Sequence, residues 1–149
     1  MRIVPKREAA EEHSENNKAE FDKPGYNRVV LMLIHERGSH VSVSQAIAGH
    51  LKDIRFKNSR QTPFVAGLHV VRNPDPKGDD LFLHLTGKTA DYFVTCSKGV
   101  RYPSCRTFAD YSSDLYVQYS FDYQYLTQWD AVQKAVLSFV ASFETDNSK

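Results

Sequence analysis

Both cysteines of this 149-residue chain lie in residues 91–110, whose sequence is DYFVTCSKGVRYPSCRTFAD. Cys96 and Cys105 flank a stretch rich in turn-forming residues, and the segments on either side, 91–96 and 105–110, have strand-like patterns. The arrangement predicts a two-stranded hairpin that is closed by a Cys96–Cys105 disulfide.

A disulfide at this place bears on where the protein works. Disulfides persist in oxidising compartments, so a bridge predicts a periplasmic or extracellular protein. Closing a loop of about ten residues would stabilise the fold by roughly 2.5–3 kcal/mol on the loop-entropy estimate. The alternative is a pair of reduced, buried cysteines in a cytosolic protein. The spacing is too wide for a redox motif, and two sulfurs rarely form a zinc site, so we expect no metal.

Other segments predict further strands around this hairpin. The apolar run Val29–Ile34 is typical of a strand buried on both faces and is our candidate for the centre of the sheet. Residues 64–71 and 81–85 are strand-like and are separated by turn formers at 73–79, which predicts an antiparallel hairpin. Residues 115–122 alternate between apolar and polar side chains, as expected of another antiparallel strand.

Two helices are predicted. Ser44 is expected to cap the first, which has Ile47, Leu51 and Ile54 along one side. The second is expected over residues 128–143, with Thr127 as its cap, and its apolar stripe should lie on the sheet. This stripe consists of Trp129, Val132, Val136, Val140 and Phe143. Together these elements predict an α+β fold, in which an antiparallel sheet of about five to seven strands has one or two helices packed on one face.

The composition suits one folded domain. Hydrophobic residues make up 41% of the chain and charged residues 25%, which are ordinary values for a globular protein. We expect a mobile polar leader over residues 1–23, a single α+β domain over residues 24–145, and a tail over residues 146–149.

Charge and hydropathy limit the classes of partner. The net charge is +1, and no apolar run is long enough to span a bilayer, so we expect neither nucleic acid nor membrane to bind the folded domain. Residues 1–23 contain no apolar core of a secretory signal. If the disulfide forms, we expect that a signal or membrane anchor has been removed and that Met1 was added for expression.

Candidate catalytic residues are few, because the common enzyme motifs are absent. If the predicted hairpin folds symmetrically about residues 76–77, His69 falls opposite His84 on the same face, where two imidazoles could share a metal or a proton. His35 and Glu36 could place an acid or a base at a strand end. The alternative for all four is an ordinary sheet or loop position. We expect no cofactor.

Basic and aromatic residues suggest binding to a macromolecule. Residues 52–60 are the most basic stretch and could contact phosphate or an acidic partner, although a solvated helix end is the simpler interpretation. The C-terminal third contains more aromatic residues than a small core needs, and exposed tyrosine and arginine are typical of protein interfaces. Packing within the sheet is the alternative. The predicted partner-binding residues are Arg101, Tyr102, Tyr116, Tyr123 and Tyr125.

Five segments of the final third occur in a suggestive combination: residues 92–96, 103–105, 115–121, 126–130 and 137–139. They supply the two cysteines, a tyrosine-rich strand and a terminal helix led by tryptophan. This pattern resembles periplasmic immunity proteins encoded beside type VI secretion effectors, especially those that neutralise phospholipase or cell-wall effectors. The resemblance implies a stoichiometric inhibitor that occludes the active site of a cognate toxin.

Two other functions stay open at this point. One is a small periplasmic or secreted hydrolase that uses a histidine pair. The other is an accessory or sensor domain of an envelope complex, which would follow a transmembrane helix in a longer precursor. Neither is implied by the resemblance. The hydrolase would use His69 with His84, which depends on the register of the predicted hairpin, or His35 with Glu36.

Overall fold

The computed structural model describes residues 2–5, 29–53, 56 and 59–147. The strands are β1 (Arg2–Pro5), β2 (Val29–Glu36), β3 (Gln61–Pro63), β4 (Leu68–Val71), β5 (Asp80–Thr86), β6 (Thr89–Cys96), β7 (Ser104–Asp110) and β8 (Leu115–Asp122). The helices are α1 (Val43–Lys52) and α2 (Trp129–Asn147), with short 3₁₀ helices at Val65–Gly67 and Tyr123–Gln128. Within the described residues, no helix has both the length and the apolar character needed to cross a membrane.

All eight strands belong to one open sheet in the order β1-β2-β8-β7-β6-β5-β4-β3. The seven strands from β2 to β8 run antiparallel to one another, and β1 pairs with β2 in parallel. The predicted α+β class and antiparallel sheet are confirmed. Arg2–Pro5, from the predicted leader, forms β1, whereas residues 6–28, which include the predicted start of the domain, lie outside the described residues.

Helix α2 packs across one face of the sheet, called here the α2 face. Val132, Val136 and Val140 lie along one side of α2 and are buried against the sheet. They meet every second residue of the strands, because successive side chains in a strand point to opposite faces. The strand residues buried in this core include Val30, Met32, Val70, Phe82, Val94, Val117, Tyr119 and Phe121. The predicted contact between the terminal helix and the sheet is therefore confirmed.

Helix α1 lies on the other face, called the α1 face, over β6 and β7. Ile47 is its buried residue and packs with Leu81, Leu83 and Phe93 in a second, smaller core. Leu51 is exposed, so the predicted apolar side of this helix meets the sheet mainly through Ile47. The two described helices thus lie on opposite faces of the sheet.

The cap of α1 is Ser42 and not the predicted Ser44. The Ser42 hydroxyl accepts a hydrogen bond from the Gln45 amide at 3.3 Å, and the Gln45 side chain accepts one from the Ser42 amide at 2.8 Å. This reciprocal pair is a capping box, which satisfies two backbone donors at the start of the helix. Ile54, also assigned to this helix in the prediction, lies outside the described residues.

Strand β2 is not at the centre of the sheet, so that prediction was wrong. It lies second from one edge, between β1 and β8. Val30 and Met32 are buried on the α2 face, whereas Leu31 and Leu33 are only partly buried on the α1 face. Of the two described helices, α1 contacts mainly β6 and β7 on that side, which leaves Leu31 and Leu33 less covered than Val30 and Met32.

The β4–β5 hairpin differs by one residue from the symmetric arrangement. Its turn is centred on Pro76, so that His69 pairs with Leu83 and His84 pairs with Leu68. A shift of one residue turns a side chain to the opposite face. His69 therefore lies on the α1 face and His84 on the α2 face, and the predicted histidine pair does not form.

Strands β6 and β7 pair over a short part of their length. Within these two described strands, Cys96 pairs with Cys105, and the residue before Cys96 pairs with Arg106. A disulfide joins Cys96 to Cys105, which confirms the predicted bridge. Farther along, the Thr107 hydroxyl donates to the Phe93 carbonyl in place of backbone pairing. Backbone pairing between these two strands is thus limited to two residue pairs at the disulfide, and side-chain contacts join the strands farther along.

Candidate functional site

The bridge loop, defined as residues 97–104, connects the two disulfide-linked strands. The Ser97 amide donates to the Ser104 carbonyl at 2.9 Å, and the Ser104 amide donates to the Ser97 hydroxyl at 2.9 Å. Together with the Cys96–Cys105 disulfide, these bonds fix both ends of the loop. The sequence folds this way because two antiparallel strands need a connection that reverses the chain.

Lys98 attaches the bridge loop to the loop between β4 and β5. Its ammonium group lies 2.7 Å from the Asp80 carboxylate and donates to the Asn73 carbonyl at 2.8 Å. Asp80 also accepts from the Arg72 guanidinium and from the Asn73 amide, each at 2.8 Å. Burial raises the pKa of Asp80, but the hydrogen bonds from Lys98, Asn73 and Arg72 outweigh it and hold that pKa below its ordinary value.

The tip of the bridge loop presents apolar, aromatic and cationic groups to solvent. Val100 is 54% exposed and Tyr102 is 43% exposed. The Arg101 guanidinium lies 5.3 Å from the centroid of the Tyr102 ring, within the range of a cation–π contact. Gly99 has a φ of +70°, and a side chain there would approach the Pro76 carbonyl to 3.1 Å. The tip is therefore exposed while its backbone is held against the neighbouring loop.

The five predicted partner-binding residues do not form one surface. Arg101 and Tyr102 lie at the tip of the bridge loop, and the Tyr123 amide donates to a carbonyl of that loop at 3.1 Å. Tyr123 and Tyr125 are partly buried against the α2-face core, which leaves less of each ring for a partner. Tyr116 lies at the opposite end of β8 and on the α1 face.

Tyr116 belongs instead to a stack of aromatic rings. The His35 ring lies 4.8 Å and the His40 ring 3.8 Å from the Tyr116 ring, between centroids, and both are nearly parallel to it. Nε2 of His35 is buried and has no hydrogen-bond partner among the described residues. Glu36 is exposed, and its side chain points to the other face because neighbours in a strand alternate. His35 and Glu36 therefore lie on opposite faces of the sheet, and the structure does not bring their side chains together.

His84 has a partner that the sequence analysis missed. Nδ1 of His84 lies 2.7 Å from Oδ1 of Asp91, and the Thr86 hydroxyl donates to Oδ2 of Asp91 at 2.7 Å. Burial raises the pKa of Asp91, but the hydrogen bonds from Thr86 and His84 outweigh it, so the pKa lies below its ordinary value. Asp91 is thus ionised near neutral pH and holds the imidazole in one orientation.

A β-bulge places both Asp91 and Tyr92 opposite His84. The register shifts here, so that His84 pairs with Tyr92 and Leu85 pairs with Ala90, which leaves Asp91 as the extra residue. In a bulge two residues of one strand oppose a single residue of the other, and the change in direction can re-aim a side chain. The contact between the two side chains places Asp91 on the α2 face, where His84 lies.

An open depression of about 460 Å³ adjoins the His84–Asp91 pair. Ala66, His84 and Trp129 are among the residues that line it. The Trp129 indole nitrogen donates to the Ala66 carbonyl at 2.9 Å, and the indole lies 4.8 Å from the His84 ring and 4.4 Å from the Tyr92 ring, between centroids. These contacts fix the wall of the depression.

No family model, curated protein or solved structure matches this chain. Both candidate sites, the bridge loop and the His84–Asp91 pair, therefore rest on their own geometry. Among the described residues, no three histidine, cysteine or acidic side chains are grouped so that they could hold a metal ion. Of the predicted basic stretch, Arg55 and Lys57 lie outside the described residues, and Phe56 is buried.

A short sequence signal could have found Asp91. Strands β5 and β6 are joined by a two-residue turn at Gly87 and Lys88, and Gly87 has a φ of +64°. Glycine in a two-residue connection is a strong hairpin signal. In a regular hairpin built on this turn, the third residue before it, His84, pairs with the third residue after it, Asp91.

Proposed function

We propose that this protein is an inhibitor that binds a cognate secreted bacterial toxin through the bridge loop and occludes the active site of that toxin. The observation that carries the proposal is the bridge loop itself, whose tip exposes Val100, Arg101 and Tyr102 on a firmly held backbone. Tyrosine and arginine are enriched among the residues that dominate binding energy at protein interfaces.

The anchoring of the loop supports binding because it reduces the ordering that a partner must impose. Immobilising a flexible side chain at an interface costs roughly 0.5–1.5 kcal/mol, and ordering a loop costs more. Here the disulfide, the Ser97–Ser104 bonds and the Lys98 contacts hold the loop before any partner arrives. A tip fixed in this way can enter a concave site of another protein.

The choice of partner rests on the cysteines and on the resemblance. A bridged Cys96–Cys105 pair is typical of proteins in oxidising compartments, which favours the periplasm. The resemblance of the final third to periplasmic immunity proteins favours a toxin of a type VI secretion system as the partner. No catalytic step of the protein itself is needed for this role.

The experiment is an affinity capture with the oxidised protein, followed by inhibition assays. Lysate and secreted fractions of the source organism are passed over the wild type, over an Arg101→Ala/Tyr102→Ala variant, and over a Val41→Ser control. Val41 is 45% exposed, close to the 43% of Tyr102, but lies two residues before the start of α1. We expect the wild type and the control to retain one enzyme in near-stoichiometric amount and the loop variant to retain little of it.

The retained enzyme is then titrated with the wild-type protein. Inhibition that is complete at one equivalent supports the proposal. Loss of two interface residues of this type should weaken binding at least 30-fold, which corresponds to about 2 kcal/mol. An enzyme held equally by the loop variant would mean that the bridge loop is not the binding element. If the folded, oxidised wild type retains no enzyme, the inhibitor proposal is wrong.

A further inference from the structure

Two irregularities of the backbone meet at the imidazole of His84. The bulge at Asp91 interrupts β6, and Ala66 and Gly67 have φ angles of 58° and 75°. This left-handed conformation costs free energy for alanine, and here it carries the Ala66 carbonyl to the Trp129 indole nitrogen. Bulges and sparsely populated backbone conformations are over-represented next to functional sites. Because both irregularities lie next to His84, this part of the fold is a candidate functional site.

The partners of Asp91 determine which nitrogen of His84 is available for chemistry. An ionised carboxylate only accepts hydrogen bonds, so Nδ1 of His84 must carry the proton that lies between His84 and Asp91. In a neutral imidazole the other nitrogen, Nε2, then has a free lone pair. Nε2 has no hydrogen-bond partner among the described residues, and His84 borders the depression. Gly67 borders this space, since a Cβ at that position would lie 4.0 Å from Nε2.

The residues that line the depression include no lysine or arginine that could bind an anion. Asp130 lines it and is paired with the Lys134 ammonium group at 2.8 Å, and the Asp91 carboxylate adjoins it through His84. The Trp129 amide at the start of α2 already donates within the preceding 3₁₀ helix and is not available to a ligand. Ala66 and Ala131 contribute apolar surface. A small uncharged molecule with an apolar portion fits this combination.

We propose that His84 and Asp91 form a general-base site that hydrolyses small uncharged esters. Nε2 of His84 accepts a proton from a water molecule while the water oxygen bonds to the acyl carbon. The bond between that carbon and the leaving oxygen then breaks, and the proton on Nε2 passes to the leaving oxygen. The products are a carboxylic acid and an alcohol, and His84 returns to its starting form. Asp91 stabilises the imidazolium in between. This activity is independent of the proposed inhibitor function.

The test uses the full chain and p-nitrophenyl acetate, an uncharged ester whose hydrolysis is followed by absorbance. General-base catalysis by a positioned side chain is typically worth 10²–10⁴-fold. We therefore expect His84→Ala to lower the rate at least tenfold and Asp91→Asn to lower it several-fold, because the amide no longer selects the tautomer. His69→Gln, on the neighbouring strand but the opposite face, should leave the rate unchanged. Equal rates for the wild type and His84→Ala overturn the proposal.

Two further measurements separate catalysis from a merely structural role. Ala131→Trp places a large side chain at the exposed rim of the depression, away from the core, and should lower the rate without loss of fold. Histidine ¹⁵N spectra of the wild type should show the Nδ1–H tautomer at His84, and Asp91→Asn should abolish that preference. A full rate in Ala131→Trp, or an Nε2–H tautomer in the wild type, would contradict the assigned site.

Discussion

Replacement of Asp80 with asparagine should lower the free energy of unfolding by about 2–3 kcal/mol. Asp80 is 3% exposed and has two cationic partners within 2.8 Å, Lys98 and Arg72. Removing one partner of a buried ion pair typically costs about 3–5 kcal/mol. The cost is smaller here because the side chains of Lys98 and Arg72 remain 29% and 57% exposed and can regain water. The asparagine oxygen can also keep the bond from the Asn73 amide.

The effect should depend on pH in a direction set by the pKa of Asp80. That pKa is lowered from the ordinary value of 3.8, so the folded protein binds the proton less readily than the unfolded chain. Asp80 therefore contributes its full stability above the unfolded value and loses this contribution as pH falls through the folded value. The difference between the wild type and Asp80→Asn should be complete at pH 7 and should shrink below about pH 4.

The measurement is urea unfolding followed by Trp129 fluorescence at pH 7 and at pH 3. Asp79→Asn is the matched control, because Asp79 contacts Arg106 at 3.4 Å at a more exposed place. An exposed pair is worth about 0–1 kcal/mol, so the control should change stability little. A cost of Asp80→Asn below about 1 kcal/mol at pH 7, or a cost that is equal at both pH values, would refute the reasoning.

Three further predictions concern the disulfide, the core and the strained turn. Replacing Cys96 and Cys105 with alanine should lower the free energy of unfolding, measured in urea, by about 2.5–3 kcal/mol, because the disulfide closes a loop in the unfolded chain. Unchanged stability would contradict this. Val136→Ala should lower the free energy of unfolding by about 2 kcal/mol because Val136 is fully buried. Ser138→Ala, on the exposed side of α2, should lower it by less than about 0.5 kcal/mol. Equal losses in the two variants would contradict the orientation of α2. Ala66→Gly should stabilise the protein by up to about 1 kcal/mol because glycine adopts a φ of 58° freely, and a clear loss of stability in thermal unfolding would speak against this.

The fold class could be predicted from the sequence because its main elements carry periodic signals. Residues 115–122 alternate strictly, and the strand has those bounds in the structure. The apolar stripe within residues 128–143 likewise predicted which side of α2 packs on the sheet. The position of α1 could not be predicted in this way, since an apolar stripe shows that a helix packs on a sheet without showing on which face. The same limit explains β2, whose apolar run suits a central strand as well as one near the edge.

The candidate sites could be predicted only in part. The bridge loop follows from two cysteines between strand-like segments, and Arg101 and Tyr102 follow from its composition. The His84–Asp91 pair depends on the register that the turn at Gly87 and Lys88 sets, and hydrophobic alternation alone does not specify this register to within one residue. The predicted His69–His84 pair was wrong because the prediction centred the β4–β5 hairpin between residues 76 and 77, whereas the hairpin is centred on residue 76.

The short pairing between β6 and β7 has a consequence for how the sheet holds together. Strands β1, β2, β8 and β7 form one half of the sheet, and β6, β5, β4 and β3 form the other. In the described residues, backbone pairing between β6 and β7 joins these halves near Cys96 and Cys105, where the disulfide also links the two strands. The disulfide therefore links two four-stranded halves covalently, in addition to shaping the loop between them. In the reduced protein, amide exchange should become faster along this boundary before it does so within either half.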